Sequence, residues 1–118
     1  MKKFPLILGV VVGAIAIVGV FLILNQSHKN QVEEYFSNPE TGDIYVLNAD
    51  EVYAAIRIHS IEKEVINFHQ YSFTFVEAIP DLEDFLEDEW DTQYIASYRK
   101  QDLRRMWEGG TIVEIYRD

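Results

Sequence analysis

A chain of 118 residues, 21 of which form one uncharged apolar run, has enough left for one small hydrophobic core and not two. Its net charge is −10, and because three lysines flank the apolar run, residues 30–118 hold seven basic residues against all 20 acids, or −13. A surface of that sign repels nucleic-acid phosphates and anionic lipid headgroups, and the lack of cysteine excludes a disulfide framework, a lipid-modified cysteine anchor and a thiolate metal site.

The apolar run is Phe4 to Leu24, FPLILGVVVGAIAIVGVFLIL. Read as a helix, it would be about 32 Å long at about 1.5 Å per residue, close to the hydrocarbon thickness of a bilayer. Its 15 Leu, Ile, Val and Phe residues contribute about −5 to −9 kcal/mol toward insertion, before the Gly and Pro costs. A secretory signal peptide also opens with lysines and an apolar stretch, and Ala14-Ile15-Ala16 has the small-x-small form of a cleavage site. Eight more apolar residues follow it, and Leu24-Asn25-Gln26-Ser27 is a poor site, so the run reads as an uncleaved signal anchor. Lys2 and Lys3 ahead of the span put the N-terminus in the cytoplasm and the rest of the chain outside, at the cell (inner) membrane. Gly9, Gly13 and Ala16 form a small-residue face through which two such helices can pack closely, a route to a homo-oligomer.

Residues 25–37 are polar and lack Gly and Pro, as a juxtamembrane stalk or a helix extension would. Asn38-Pro39-Glu40-Thr41-Gly42-Asp43 is a turn cluster that opens a small acidic domain, residues 38–118. Ile44–Leu47 reads as a first strand and Asn48-Ala49-Asp50 as a turn. Val52–Ile58 and Gln70–Phe75 both alternate apolar with polar residues. Folding the chain back around Lys63-Glu64 places Ile58 opposite His69, Ile56 opposite Tyr71, Ala54 opposite Phe73 and Val52 opposite Phe75. One face of that hairpin is apolar, and the face carrying Arg57, Ala55 and Tyr53 is mostly polar. After Pro80, Asp81 with Asp84 forms a capping box for a short helix with the apolar stripe Leu82, Phe85 and Leu86. Asp91–Tyr98 reads as a strand, Lys100–Glu108 as a helix burying Leu103, Met106 and Trp107 and ended by Gly109-Gly110, and Thr111–Tyr116 as a last strand. The expected fold is thus a transmembrane helix followed by a small mainly-β domain. About five antiparallel strands with two short helices would form an SH3-like barrel or a strongly bent sheet, with α+β as the alternative class.

Little of this carries chemistry. In the expected register His59 and His69 point to opposite faces and cannot share a metal ion, while His28 is a polar flank of the span. Asp81, Glu83, Asp84, Glu87, Asp88, Glu89 and Asp91 put seven acids into eleven residues. On a helix they would be a solvated face, a docking patch for a basic partner or a weak calcium site, although the EF-hand spacing is absent. Arg99, Lys100, Arg104 and Arg105 would pair with that acidic helix or bind an anion. With no nucleophile elbow, phosphate loop or His-Glu zinc motif, neither an enzyme nor a cofactor is expected. The composition instead suggests a single-pass, membrane-anchored protein-binding module, an accessory or assembly subunit of an envelope complex with a protein partner and no nucleic acid. The alternatives are a membrane-tethered immunity protein that neutralises a basic toxin, and a calcium or ligand sensor.

Overall fold

The computed structural model describes residues 28–118. The expected span at residues 4–24 and its expected face of Gly9, Gly13 and Ala16 lie outside the described residues, among which no helix is long and apolar enough to cross a membrane. The chain divides into two compact units, Met1–Glu34 and Tyr35–Asp118. Residues 28–37, read as stalk or helix extension, are helical (α1) and run across that boundary.

The second unit is a small mainly-β domain. Strands β1 (Ile44–Ala49), β2 (Val52–Ile61), β3 (Val65–Tyr71), β4 (Phe75–Val76), β5 (Trp90–Arg99) and β6 (Ile112–Tyr116) form one antiparallel sheet, with α2 (Lys100–Glu108) between the last two. The order is β5-β3-β2-β1-β6, with the short β4 paired to β2. β5 and β6 are the two edges and do not pair with each other, so the sheet stays open where a barrel would close it.

The β1–β2 turn falls at Asp50-Glu51, later than Asn48-Ala49-Asp50, because Ala49 still pairs with Val52. Asp50 sits at φ +63°, a left-handed conformation that Asp tolerates better than most residues. The expected β2–β3 register holds only at the hairpin tip, where Ser60 faces Asn67 and Ile61 faces Ile66. A bulge between Ile58 and Ser60 then shifts it by one residue, so Ile58 faces Phe68, Arg57 faces His69 and Ile56 faces Gln70. The chain also leaves the ladder after Tyr71, and β4 resumes with Phe75 opposite Tyr53 and Val76 opposite Val52.

A one-residue shift exchanges faces, and here it gives the sheet two covered sides. Tyr45, Ile56, Ile58, Ile66, Phe68 and Ile115 are buried on the first. There Tyr45 and Phe68 meet edge to face at 5.4 Å, and Phe36 from the end of α1 lies 6.2 Å from Tyr45 and stacks at 4.9 Å on Trp107 of α2. Leu103 is the fully buried residue of α2, with Met106 and Trp107 only partly covered. Gly109 and Gly110 end α2 as its sequence suggests. Gly110 takes φ +83°, its N–H donates to Trp107 O at 3.2 Å and that of Thr111 to Met106 O at 2.8 Å, which satisfies the last carbonyls.

On the second side Ala55, expected on the mostly polar face, is 0% exposed and clusters with Ile44, Tyr71 and Trp90. Phe75, Leu82, Phe85 and Tyr116 pack over them.

One polar group is buried in this unit. Asp43 is 1% exposed, and Arg117 donates to both its carboxylate oxygens at 2.9 Å. Arg117 also donates to Asn38 O at 2.7 Å and lies 4.3 Å over the Tyr35 ring. The end of the chain is thereby fastened to the turn ahead of β1, and the hydrogen bonds to Asp43, outweighing burial, hold the Arg117 pKa up, helped by the charges of Asp43 and Glu40.

Candidate functional site

The seven clustered acids lie on the segment that covers the second side of the sheet. From Glu77, itself at φ +74°, the chain turns over the aromatic cluster and returns to the sheet at Trp90. The short helix expected here is two separate 3-10 turns, Leu82–Asp84 and Glu87–Glu89, with extended backbone at Phe85 and Leu86 between them. Two like-charged pairs at helical spacing, Glu83/Glu87 and Asp84/Asp88, disfavour a continuous α-helix. The capping box forms at the first turn, where Asp84 Oδ2 accepts the Asp81 N–H at 2.8 Å. At the break, the Leu86 N–H donates to the Tyr71 hydroxyl at 2.8 Å instead of to the backbone.

The underside of this strap is aromatic. Tyr71 lies 4.8 Å from Trp90, 5.1 Å from Phe85 and 5.8 Å from Phe75. The Tyr116 hydroxyl donates to Pro80 O at 2.7 Å. Burial, helped by Glu114, Asp81, Asp84 and Glu83, pushes the Tyr116 pKa up, so it stays a neutral donor. The outer fastening is Arg57. It lies 4.5 Å over the Trp90 ring and forms a two-pronged bond to Glu87 at 2.9 and 3.0 Å, which holds the Glu87 pKa below its usual value. Leu82, Phe85, Trp90, Tyr116, Arg57 and Glu87 line a cleft of about 350 Å³ under the strap.

Among the described residues, Glu87 is the one acid of the seven with an ion-pair partner. Asp81, Glu83, Asp84, Asp88 and Asp91 are exposed and Glu89 half-buried. Asp91 accepts the Gln93 N–H at 3.0 Å inside the irregular stretch where β5 leaves its register with β3. These carboxylates spread along a curved strap, and among the described residues no group of three His, Asp or Glu side chains is placed to hold a metal ion.

The basic residues of α2 do not reach the strap. Arg99 and Arg105 each bond Asp102 at 3.0 Å, and Lys100 and Arg104 have no ion pair among the described residues. The strap cation is Arg57, thirty residues from Glu87 along the chain. His59 and His69 are brought together, with ring centroids 4.4 Å apart. The observed register explains the correction: Arg57 pairs with His69, and His59, two residues on from Arg57, shares its face.

No known protein family matches the chain, and neither curated proteins nor solved structures provide a match.

Proposed function

We propose that the chain is a single-pass membrane-anchored binding module, an accessory or assembly subunit of an envelope complex, which docks a basic protein surface on the acidic strap. The apolar run at residues 4–24 is its anchor, with the N-terminus cytoplasmic and the β domain outside. One observation carries the docking reading: six of the seven strap acids have no cation partner among the described residues, while hydrogen bonds and aromatic packing hold the strap from beneath. Repulsion between those carboxylates disfavours the free domain, and a basic partner would relieve it while losing little conformational entropy.

The test is co-isolation from the native membrane with a tagged full-length chain. A partner is expected that stays at low salt and leaves in about 1 M salt, where the screening length falls to about 3 Å. Reversing Glu83, Asp84 and Asp88 to Lys should abolish retention, and reversing Asp50 and Glu51 at the β1–β2 turn should not. Equal retention by both variants would defeat the proposal. A topology reporter fused after Asp118 tests the orientation, and a cytoplasmic signal would defeat it.

A further inference from the structure

Another cavity of the domain lies on the other side of the sheet from the strap. It has a volume of about 170 Å³ and is lined by Phe36, Ser37, Pro39, Tyr45, Ile66, Lys100, Leu103 and Arg104. Its walls are half apolar and half polar, and the charged groups among them are both basic. That is unexpected where residues 30–118 hold 20 acids against seven basic residues. Around α2 that surplus neutralises Arg99 and Arg105, both through Asp102. Lys100 and Arg104, one turn apart, keep no carboxylate within ion-pair distance among the described residues. Side chains four apart on a helix have Cβ atoms about 5–6 Å apart, a spacing that one phosphate or carboxylate can bridge. The Lys100 backbone N–H is already bonded to Glu64 O at 2.9 Å, so the ammonium and not the helix end is what it offers. The Arg104 guanidinium stands 5.7 Å over the Phe36 ring, at the mouth of the apolar wall.

We propose that this cavity binds an anionic amphiphile. Its phosphate or carboxylate head is held by Lys100 and Arg104, and the first part of its alkyl chain packs on Phe36, Tyr45, Ile66 and Leu103. The volume is below the range of about 300–1,000 Å³ typical of drug-sized ligands, so the cavity takes a head and a few methylenes rather than a whole large ligand. The two cations reverse the local charge of a domain that elsewhere repels anions, which restricts such a ligand to this place. A membrane lipid and a free acyl phosphate or fatty acid share this chemistry.

The probe is monooctyl phosphate titrated into the full-length chain in a neutral detergent. Trp90→Phe leaves Trp107, stacked on Phe36 at 4.9 Å, as the reporting indole, and calorimetry on the unaltered chain supplies a second reading. Saturable binding is expected. Lys100→Ala and Arg104→Ala, both at exposed positions, should each weaken it about tenfold, the scale of one lost charge-assisted hydrogen bond. Inorganic phosphate and octanol should each bind at least about tenfold more weakly than octyl phosphate, since each offers half of the contacts. Unchanged binding by the double variant, or inorganic phosphate binding as tightly as octyl phosphate, would overturn the proposal. Nanodiscs containing about 30% brominated phosphatidylglycerol in phosphatidylcholine identify the source. Quenching of Trp107 that vanishes in the double variant points to a membrane lipid, and octyl phosphate binding without such quenching points to a free amphiphile.

Discussion

A regular helix closes one side of the sheet, and an irregular acidic strap closes the other. α2 buries Leu103 beside Tyr45 and Ile66, and its backbone groups are satisfied within the helix and by the Gly110 turn. The strap has no long element of its own. It is held by apolar contacts from Phe85 and Leu82, by the Tyr71 and Tyr116 hydroxyls, and by the exposed Arg57–Glu87 bond. The two sides should therefore differ in how they fail: the helix side with the whole domain, the strap by local opening.

The strongest test of that difference is Leu103→Ala. At 2% exposure, the lost packing and the cavity left behind should cost about 2–5 kcal/mol, read as a lower urea midpoint with unchanged slope. Phe85→Ala on the strap should cost about 1–2 kcal/mol, because its ring is only half-buried. It should also speed hydrogen exchange at Leu86 and Glu89 while the Tyr45 and Phe68 amides stay protected. Equal acceleration everywhere would show that the strap unfolds with the core.

Two ion pairs divide along the same line. Arg117→Ala leaves the Asp43 carboxylate buried without its partner, and breaking such a pair costs about 3–5 kcal/mol. A loss below about 1 kcal/mol would mean that water replaces the guanidinium. Glu87→Gln removes the outer fastening of the strap at a fully exposed carboxylate. Its urea midpoint should fall only slightly, as for an exposed ion pair, while exchange on the strap quickens. The contribution of Glu87 carries an acid signature: its folded pKa lies below the ordinary 4.5, so the stabilisation is present above that pH and fades as pH falls through the folded value.

The same contrast decides what could be read from the residues alone. The bounds of α2 were legible because an apolar stripe, a break from the preceding alternation and Gly109-Gly110 are all local signals. So was the capping box of Asp81 and Asp84. The strap was legible as an acidic, Pro-led segment but not as two 3-10 turns, because Tyr71, fifteen residues away, takes the Leu86 N–H at the break. Beyond the hairpin tip the β2–β3 register differs by one residue from the one that matches the apolar faces of Val52–Ile58 and Gln70–Phe75. A bulge at His59 and the lid over Ala55 select the observed one, and neither leaves a local mark. Arg117 and Asp43, 74 residues apart, give no periodic signal, and neither does the convergence of Lys100 and Arg104 on Phe36.

The smallest expected effect concerns the histidines that this register brings together. His59 and His69 lie on the strap side of the sheet beside Arg57, with Asp91 on β5 paired to Gln70, the residue after His69. Partial burial first, then the charges of His59 and Arg57, hold the His69 pKa below its ordinary 6.5, and Asp91 pulls the other way. The unfolded chain therefore binds this proton more readily than the folded one. The associated stability is present above about pH 6.5 and is lost as pH falls from there through the folded value. Lowering the pH from about 7.5 to about 5.5 should reduce the urea midpoint slightly, and His69→Gln should flatten that slope without moving the midpoint at the higher pH. His59→Gln should flatten it less, because it removes one of the two neighbouring charges and leaves Arg57. If neither variant changes the slope, His69 does not carry the acid sensitivity of this range. The strap side would then respond to pH only below about 4.5, where its outer fastening at Glu87 titrates.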